Sequence, residues 1–193
     1  MRSTLLVTIA PIWAGLIELG VLKRPPQLRF WLGLLVALPG VGLMCSVGAL
    51  SGDLRGDLLA ILGGMSGAAY FVIGGEVRKR IEVTSYAAMV CAVAALCLFP
   101  WIALGEAPAL GFAWQTWLLL GALILGPQLV GHNGLNFALK YIPASTVTAI
   151  TLLEPVGAAI LAWLFLGQIP AGRELVGGVL VLAGLVFATR PKG

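Results

Sequence analysis

The sequence predicts an all-α polytopic membrane protein with seven transmembrane helices. Composition is the first observation behind this. Apolar residues make up 60% of the 193 residues and charged residues only 10%, against about 45–50% and about 25% in a soluble domain. A chain this short could not keep so much apolar surface from water. The second observation is spacing: the apolar residues fall in seven runs of spanning length, separated by short polar breaks. The third is pattern. The runs are rich in Leu, Ala and Gly without alternating polarity, which fits helices of about 20 residues rather than the roughly 10-residue strands of a membrane barrel. An ordinary soluble enzyme, a disordered chain and a nucleic-acid binder are excluded. The lipid bilayer is the expected surrounding.

The first run, Leu5–Leu22, holds Pro11 and Glu18 and is followed by Lys23-Arg24 rather than a small-residue cleavage site. It reads as a retained helix, not a signal peptide. Phe30–Leu50, Leu58–Gly75, Tyr86–Leu104, Trp114–Leu139, Ser145–Leu166 and Leu175–Thr189 complete the set. The six tryptophans fit mostly an interfacial belt, with Trp13 and Trp163 also placed to line a cavity. Alternate breaks belong to one side of the membrane. Nine Lys and Arg collect on one side, including Lys23, Arg24, Arg29, Arg78, Lys79, Arg80 and Lys140, and three on the other: Arg2, Arg55 and Arg173. The positive-inside rule then makes the protein multi-pass in the cell (cytoplasmic) membrane, with its N-terminus outside and its C-terminus cytoplasmic.

Shifting the chain by 144 residues overlays its start on its end. Pro11 meets Pro155, Pro26 meets Pro170, Arg29 meets Arg173, Gly33 meets Gly177 and Gly40 meets Gly184. In each copy a proline-containing helix ends in a proline loop and is followed by a helix with two glycines seven apart. The first copy's loop is basic and the second's is not, so equivalent helix pairs point in opposite directions. Inverted repeats are a mark of secondary transporters, with the substrate near the midplane. Pro11, Pro155, Gly33, Gly40, Gly177 and Gly184 are the structural residues of this reading.

Thr151–Gln168, with Glu154-Pro155 and Gly167-Gln168, followed by Glu174–Gly184, resembles the closing helix pair of an EamA repeat. That repeat belongs to the drug/metabolite transporter superfamily. Ala10–Ala14, Trp31–Gly33 and Pro39-Gly40 resemble the same pair in a first repeat. The resemblance implies residues 1–50 as the last two helices of a first repeat, 51–57 as a connecting loop, and 58–193 as a complete second repeat of five helices. Where the family usually has Gly-Glu, this chain has Gly167-Gln168, with Lys23-Arg24 at the other copy's place. Members usually carry ten helices, so the first three are expected to be missing here. The seven helices are then expected not to transport alone, but with a second chain or with those N-terminal helices.

Polar groups inside the runs need a reason. Glu154 precedes Pro155, which cannot donate to the carbonyl of Thr151. The helix should bend there, beside a carboxyl that either couples protons, contacts substrate or packs helices. Thr151 could contribute a hydroxyl, or bond back to its own helix. Gln128, His132 and Asn136 at i, i+4 and i+8 share one helix face. They either line a cavity or bond between helices. Ser66 and Tyr70 are further cavity candidates, whereas Glu18 reads as an end-of-helix charge that snorkels toward Lys23-Arg24. Cys45, Cys91 and Cys97 form no CxxC pair and there is one histidine, so neither a metal site nor a cofactor is expected. No HExxH, GxSxG or phosphate loop is present, and no catalytic residues are assigned. The leading function is a secondary transporter, in the exporting sense, of a small metabolite or amino-acid-like solute by alternating access. A non-transporting membrane subunit or truncated remnant, and a small intramembrane enzyme, are the other classes.

Overall fold

The computed structural model describes residues 2–45, 54–105 and 111–190, and every regular element among them is helical. The helices are α1 (Arg2–Thr8), α2 (Ala10–Gly20), α3 (Leu28–Met44), α4 (Leu54–Val77), α5 (Val83–Leu104) and α6 (Trp114–Leu123). A π-helical stretch, Ile124–His132, leads into α7 (Asn133–Ala138). Then come α8 (Ala144–Ile150), a 3-10 turn (Thr151–Leu153), α9 (Glu154–Leu166) and α10 (Gly172–Thr189). Five helical segments are long and apolar enough to cross a membrane: Leu54–Val77, Val83–Leu104, Trp114–Ala138, Ala144–Leu166 and Gly172–Thr189. Leu5–Gly20 and Leu28–Met44 are apolar helices of shorter length. The last residues of the second run, 46–50, lie outside the described residues.

The helices that carry Pro11 and Pro155 are each broken just ahead of the proline. In the first, α1 ends at Thr8, and α2 starts at Ala10 with Pro11 in its first turn. In the second, the 3-10 turn Thr151–Leu153 separates α8 from α9, and Pro155 lies in the first turn of α9. Proline is tolerated there because those N–H groups have no intrahelical partner. A threonine stands where each break begins and bonds back three residues: Thr8 Oγ1 donates to the Leu5 carbonyl at 2.8 Å, and Thr151 Oγ1 to the Thr148 carbonyl at 2.7 Å.

The chain forms two compact units. Met1–Ile73 with Ile142–Gly193 is one and Gly74–Tyr141 the other. The first unit is organised by α3 and α10, which run antiparallel. A Cβ on Gly33 would lie 2.5 Å from the Gly184 carbonyl oxygen, and one on Gly184 2.5 Å from that of Gly33. Gly40 and Gly177 oppose each other in the same way, at 2.6 and 2.5 Å. Seven residues are about two helical turns, so each pair of glycines shares a face. Without side chains there, the backbones meet, which is how helices associate when lipid supplies no hydrophobic force between them. Ala37 and Val181 are fully buried between the glycines. Phe30, Leu34, Val41, Ala149, Leu152 and Leu185 complete the core around them.

The second unit holds the end of α4, α5 and the segment from α6 to α7. Tyr86 is the buried residue of α5. Its hydroxyl stands 2.6 Å from where Gly74 would carry a Cβ. Arg78 is buried, and its Nε donates to the Asn136 carbonyl at 3.0 Å while a terminal nitrogen donates to the Ile81 carbonyl. The Asn136 carbonyl lies in the last turn of α7, where carbonyls lack intrahelical donors, and that of Ile81 in the connection between α4 and α5, so a basic side chain serves both. The rest of this unit's apolar side chains are largely exposed, with Trp101, Leu104 and Val130 each more than 70% accessible.

Candidate functional site

A recess of about 540 Å³ opens in the first unit. Glu154, Pro155, Ala158, Ala159 and Ala162 of α9 form one wall. Thr8 at the first helix break and Met44-Cys45 at the end of α3 face them, and Gln168–Pro170 with Glu174 close one end. Sequence dictates this shape locally. Positions 154, 158 and 162 share a helix face, and alanine at the last two leaves space beside the carboxyl. Gly167 ends α9 with φ 65, in the left-handed region that glycine adopts without a Cβ penalty. Its N–H reaches the Trp163 carbonyl, and the Gln168 N–H reaches that of Ala162. The turn so formed brings Gln168 back over the recess. Glu174 is partly committed, because its Oε2 accepts the Ala171 N–H at 2.9 Å at the start of α10.

Glu154 is exposed; its backbone N–H bonds to the Thr151 carbonyl, while its side chain has no hydrogen-bond partner among the described residues. Its carboxyl therefore has its accepting capacity free for a solute or a proton. The interruption anticipated at Pro155 is present as the 3-10 turn, and Thr151 spends its hydroxyl on the Thr148 carbonyl rather than on the recess. The lining includes Glu174, Gln168 and Glu154 but no basic side chain among the described residues. Its volume lies within the range of small-molecule sites.

The other candidates do not join this recess. Ser66 is exposed and Tyr70 half-buried on α4, where Tyr70 stacks edge-on against Phe71 at 5.1 Å. Gln128, His132 and Asn136 belong to the second unit and fare differently from one another. Gln128 and His132 are exposed, while Asn136 is buried and its carbonyl accepts from Arg78. Gln128 Nε2 points to Cys91 Sγ at 3.7 Å. The i, i+4, i+8 spacing assumed a regular α-helix. The π-helical stretch from 124 to 132 has wider turns, so Gln128 and His132 lose the registration that an α-helix would impose.

Two residues were misjudged from sequence. Glu18 does not snorkel: it is 6% exposed, and its Oε1 accepts the Ser145 N–H at 3.3 Å. Arg78 reads in sequence as one of three loop charges, but it is buried while Lys79 and Arg80 are exposed. Trp13, undecided between belt and cavity, is half-buried, and its Nε1 has no hydrogen-bond partner among the described residues.

Residues 54–190, well over half the chain, match the EamA-like transporter family. The chain belongs to that family. It is thus an EamA-type member of the drug/metabolite transporter superfamily and a multi-pass membrane protein. The uncharacterized transporter YwfM of Bacillus subtilis is 30% identical over 95% of this EamA chain and 62% of its own length. YdfC of the same organism, also an uncharacterized transporter, is 28% identical over 96% and 61%. A probable terminal-alkyne amino-acid exporter of Streptantibioticus cattleyicolor is 26% identical over 97% and 63%. A solved crystal structure shares the fold with a TM-score of 0.78, at 18% identity, over 97% of this chain and 66% of that one. The EamA chain spans about three fifths of the length of the curated relatives it matches.

Proposed function

We propose that this EamA chain forms part of the pathway of a secondary transporter that moves a small, amino-acid-like solute outward by alternating access. Glu154 is the carboxyl that meets the solute or exchanges protons with it. The observation that carries this reading is the Glu154 carboxyl, without a hydrogen-bond partner among the described residues and set at a helix interruption inside a recess. Discontinuous helices with free backbone polarity at mid-membrane are how secondary transporters build such sites. A relative named as an amino-acid exporter supports the solute class and the direction.

The glycine contacts support inverted repeats. The shift of 144 carries Gly33 onto Gly177 and Gly40 onto Gly184. The contact of Gly33 with Gly184 then becomes the contact of Gly177 with Gly40, and both are present. The contact of Gly33 with Ala188 likewise becomes that of Gly177 with Met44, also present. A pseudo-two-fold axis between α3 and α10 produces that exchange. Seven spans follow, from the five long helices and the two shorter ones, and the basic loops favour an outside N-terminus. Further helices, from a longer chain or a second copy, complete the pathway.

The test uses membrane vesicles that carry the protein in its native setting and a radiolabelled mixture of L-amino acids. Wild type should give saturable flux. Glu154→Gln should fold normally and lose about tenfold or more in flux, or lose its pH dependence. Lys79→Cys should react with an impermeant thiol reagent only from the cytoplasmic face. Unchanged flux across pH in Glu154→Gln would reduce Glu154 to a packing residue, and labelling of Lys79→Cys from outside would reverse the orientation.

A further inference from the structure

We infer that Glu18 is a positioning residue: from the end of α2 its carboxyl caps α8 and so fixes the break that presents Glu154 to the recess. This rests on the transport reading above for its functional consequence, though not for its geometry.

The start of α8 lacks a local cap. Its N-cap residue is Pro143, whose side chain has no polar atom. The first N–H groups of a helix have no intrahelical acceptor, and a buried one has no water to replace it. Ser145, the second residue of α8, is buried, and its N–H is taken by Glu18 Oε1 at 3.3 Å, across 127 residues of sequence. A carboxyl at a helix N-terminus also meets the favourable end of the helix dipole. Glu18 thus supplies from another helix what Ser, Thr, Asp or Asn supplies in an ordinary N-cap.

From that cap a line of bonds leads to the break. Thr148, 1% exposed, donates its hydroxyl to the carbonyls of Ala144 and Ser145, each at 2.9 Å. Thr151 donates to the Thr148 carbonyl, and the 3-10 turn begins at Thr151. Threonines that bond back in this way bend helices. The segment 144–153 is therefore held at its first turn by Glu18 and bent at its last by Thr151, and Glu154 follows directly. Movement of α8 relative to α2 would carry the break, and Glu154 with it. Under the 144 shift, Glu18 corresponds to Ala162, which lines the recess. An alanine side chain accepts no hydrogen bond, so Ala162 does not repeat the carboxyl of Glu18, which holds the helix that bears Glu154.

Three variants test this. Glu18→Gln keeps an accepting oxygen. Glu18→Leu removes it at similar size, and Glu18→Ala serves should Leu not fold. Amide hydrogen exchange is read on the protein in lipid nanodiscs, and flux in the vesicles described above with the same labelled amino acids. Glu18→Leu should raise exchange in 145–153 about tenfold while the α3 and α10 amides stay protected. Its maximal flux should fall about tenfold with KM unchanged, since a misplaced group far from the solute acts on the rate. Glu18→Gln should restore both. Wild-type exchange in 145–153 of Glu18→Leu, a uniform rise across α3 and α10, or failure of Glu18→Gln to restore protection would overturn the inference. Exchange needs no flux, so a wild type without flux counts against the transport reading while the exchange result still decides the role of Glu18.

Discussion

The α3–α10 seam and the helix Trp114–Ala138 have similar apolar compositions and opposite surroundings. Along the seam, a Cβ at any of four glycines would fall within 2.7 Å of a heavy atom of the other helix. Along Trp114–Ala138, the positions of Gly121, Gly126 and Gly134 have no heavy atom of another element within 4 Å. The most apolar span, Val83–Leu104, buries only Tyr86, whereas a third of the less apolar Gly172–Thr189 is buried. In a soluble protein the most apolar helix is expected to lie deepest. Here lipid is the apolar solvent, so hydropathy selects what enters the bilayer, and small residues select where helices meet.

The largest expected effect lies in the seam. Gly33→Leu or Gly184→Leu would drive a side chain into the backbone of the partner helix, where even a Cβ on either glycine would lie 2.5 Å from the other's carbonyl oxygen. Backbone cannot step aside as a flexible side chain can. A destabilisation of about 3 kcal/mol is expected, the upper end of ordinary overpacking. Thermal unfolding in detergent, with the folded fraction by gel filtration, measures it. A wild-type melting temperature for either variant would mean that the two helices do not meet through these glycines.

The middle of the scale tests Arg78, the one buried charge among the described residues of the second unit. Arg78→Met keeps length and apolar stem but leaves the carbonyls of Asn136 and Ile81 without their donor. The expected loss is about 2 kcal/mol, because an acceptor left buried without its charged donor costs more than the bond contributed. Lys79→Met next door removes an exposed pairing with Glu76 and should cost about 0.5 kcal/mol or less. Equal melting shifts for the two would mean that Arg78 is only a loop charge.

That pair of neighbours also shows how far the sequence could be read. The glycines at 33, 40, 177 and 184 were legible because spacing and repeat both pointed to them. The break at Pro155 was legible because proline cannot complete the helical ladder. Glu18 was misread, since a cap delivered across 127 residues leaves no local signature. Arg78 was misread because three consecutive basic residues look alike until the chain turns one of them inward. The polar stripe failed for another reason. Pro127 lies inside the π-helical stretch, so the sequence marks a disturbed ladder there, but not that the chain answers it with hydrogen bonds one residue longer.

The smallest effect is expected at Gly121, and its sign is opposite to that in the seam. Gly121 lies inside the helical segment Trp114–Ala138, with no heavy atom of another element within 4 Å of a Cβ placed there. Alanine adds one methyl group without contact and removes backbone freedom from the unfolded chain. Helix propensity then favours Gly121→Ala by up to about 1 kcal/mol. The same substitution at Gly177 meets the Gly40 carbonyl at 2.5 Å and the Met44 side chain at 2.7 Å, so it should destabilise. Melting curves of Gly121→Ala and Gly177→Ala, made and measured side by side, should therefore shift in opposite directions. If both fall, Gly121 is also a packing glycine, and the second unit meets a helix there.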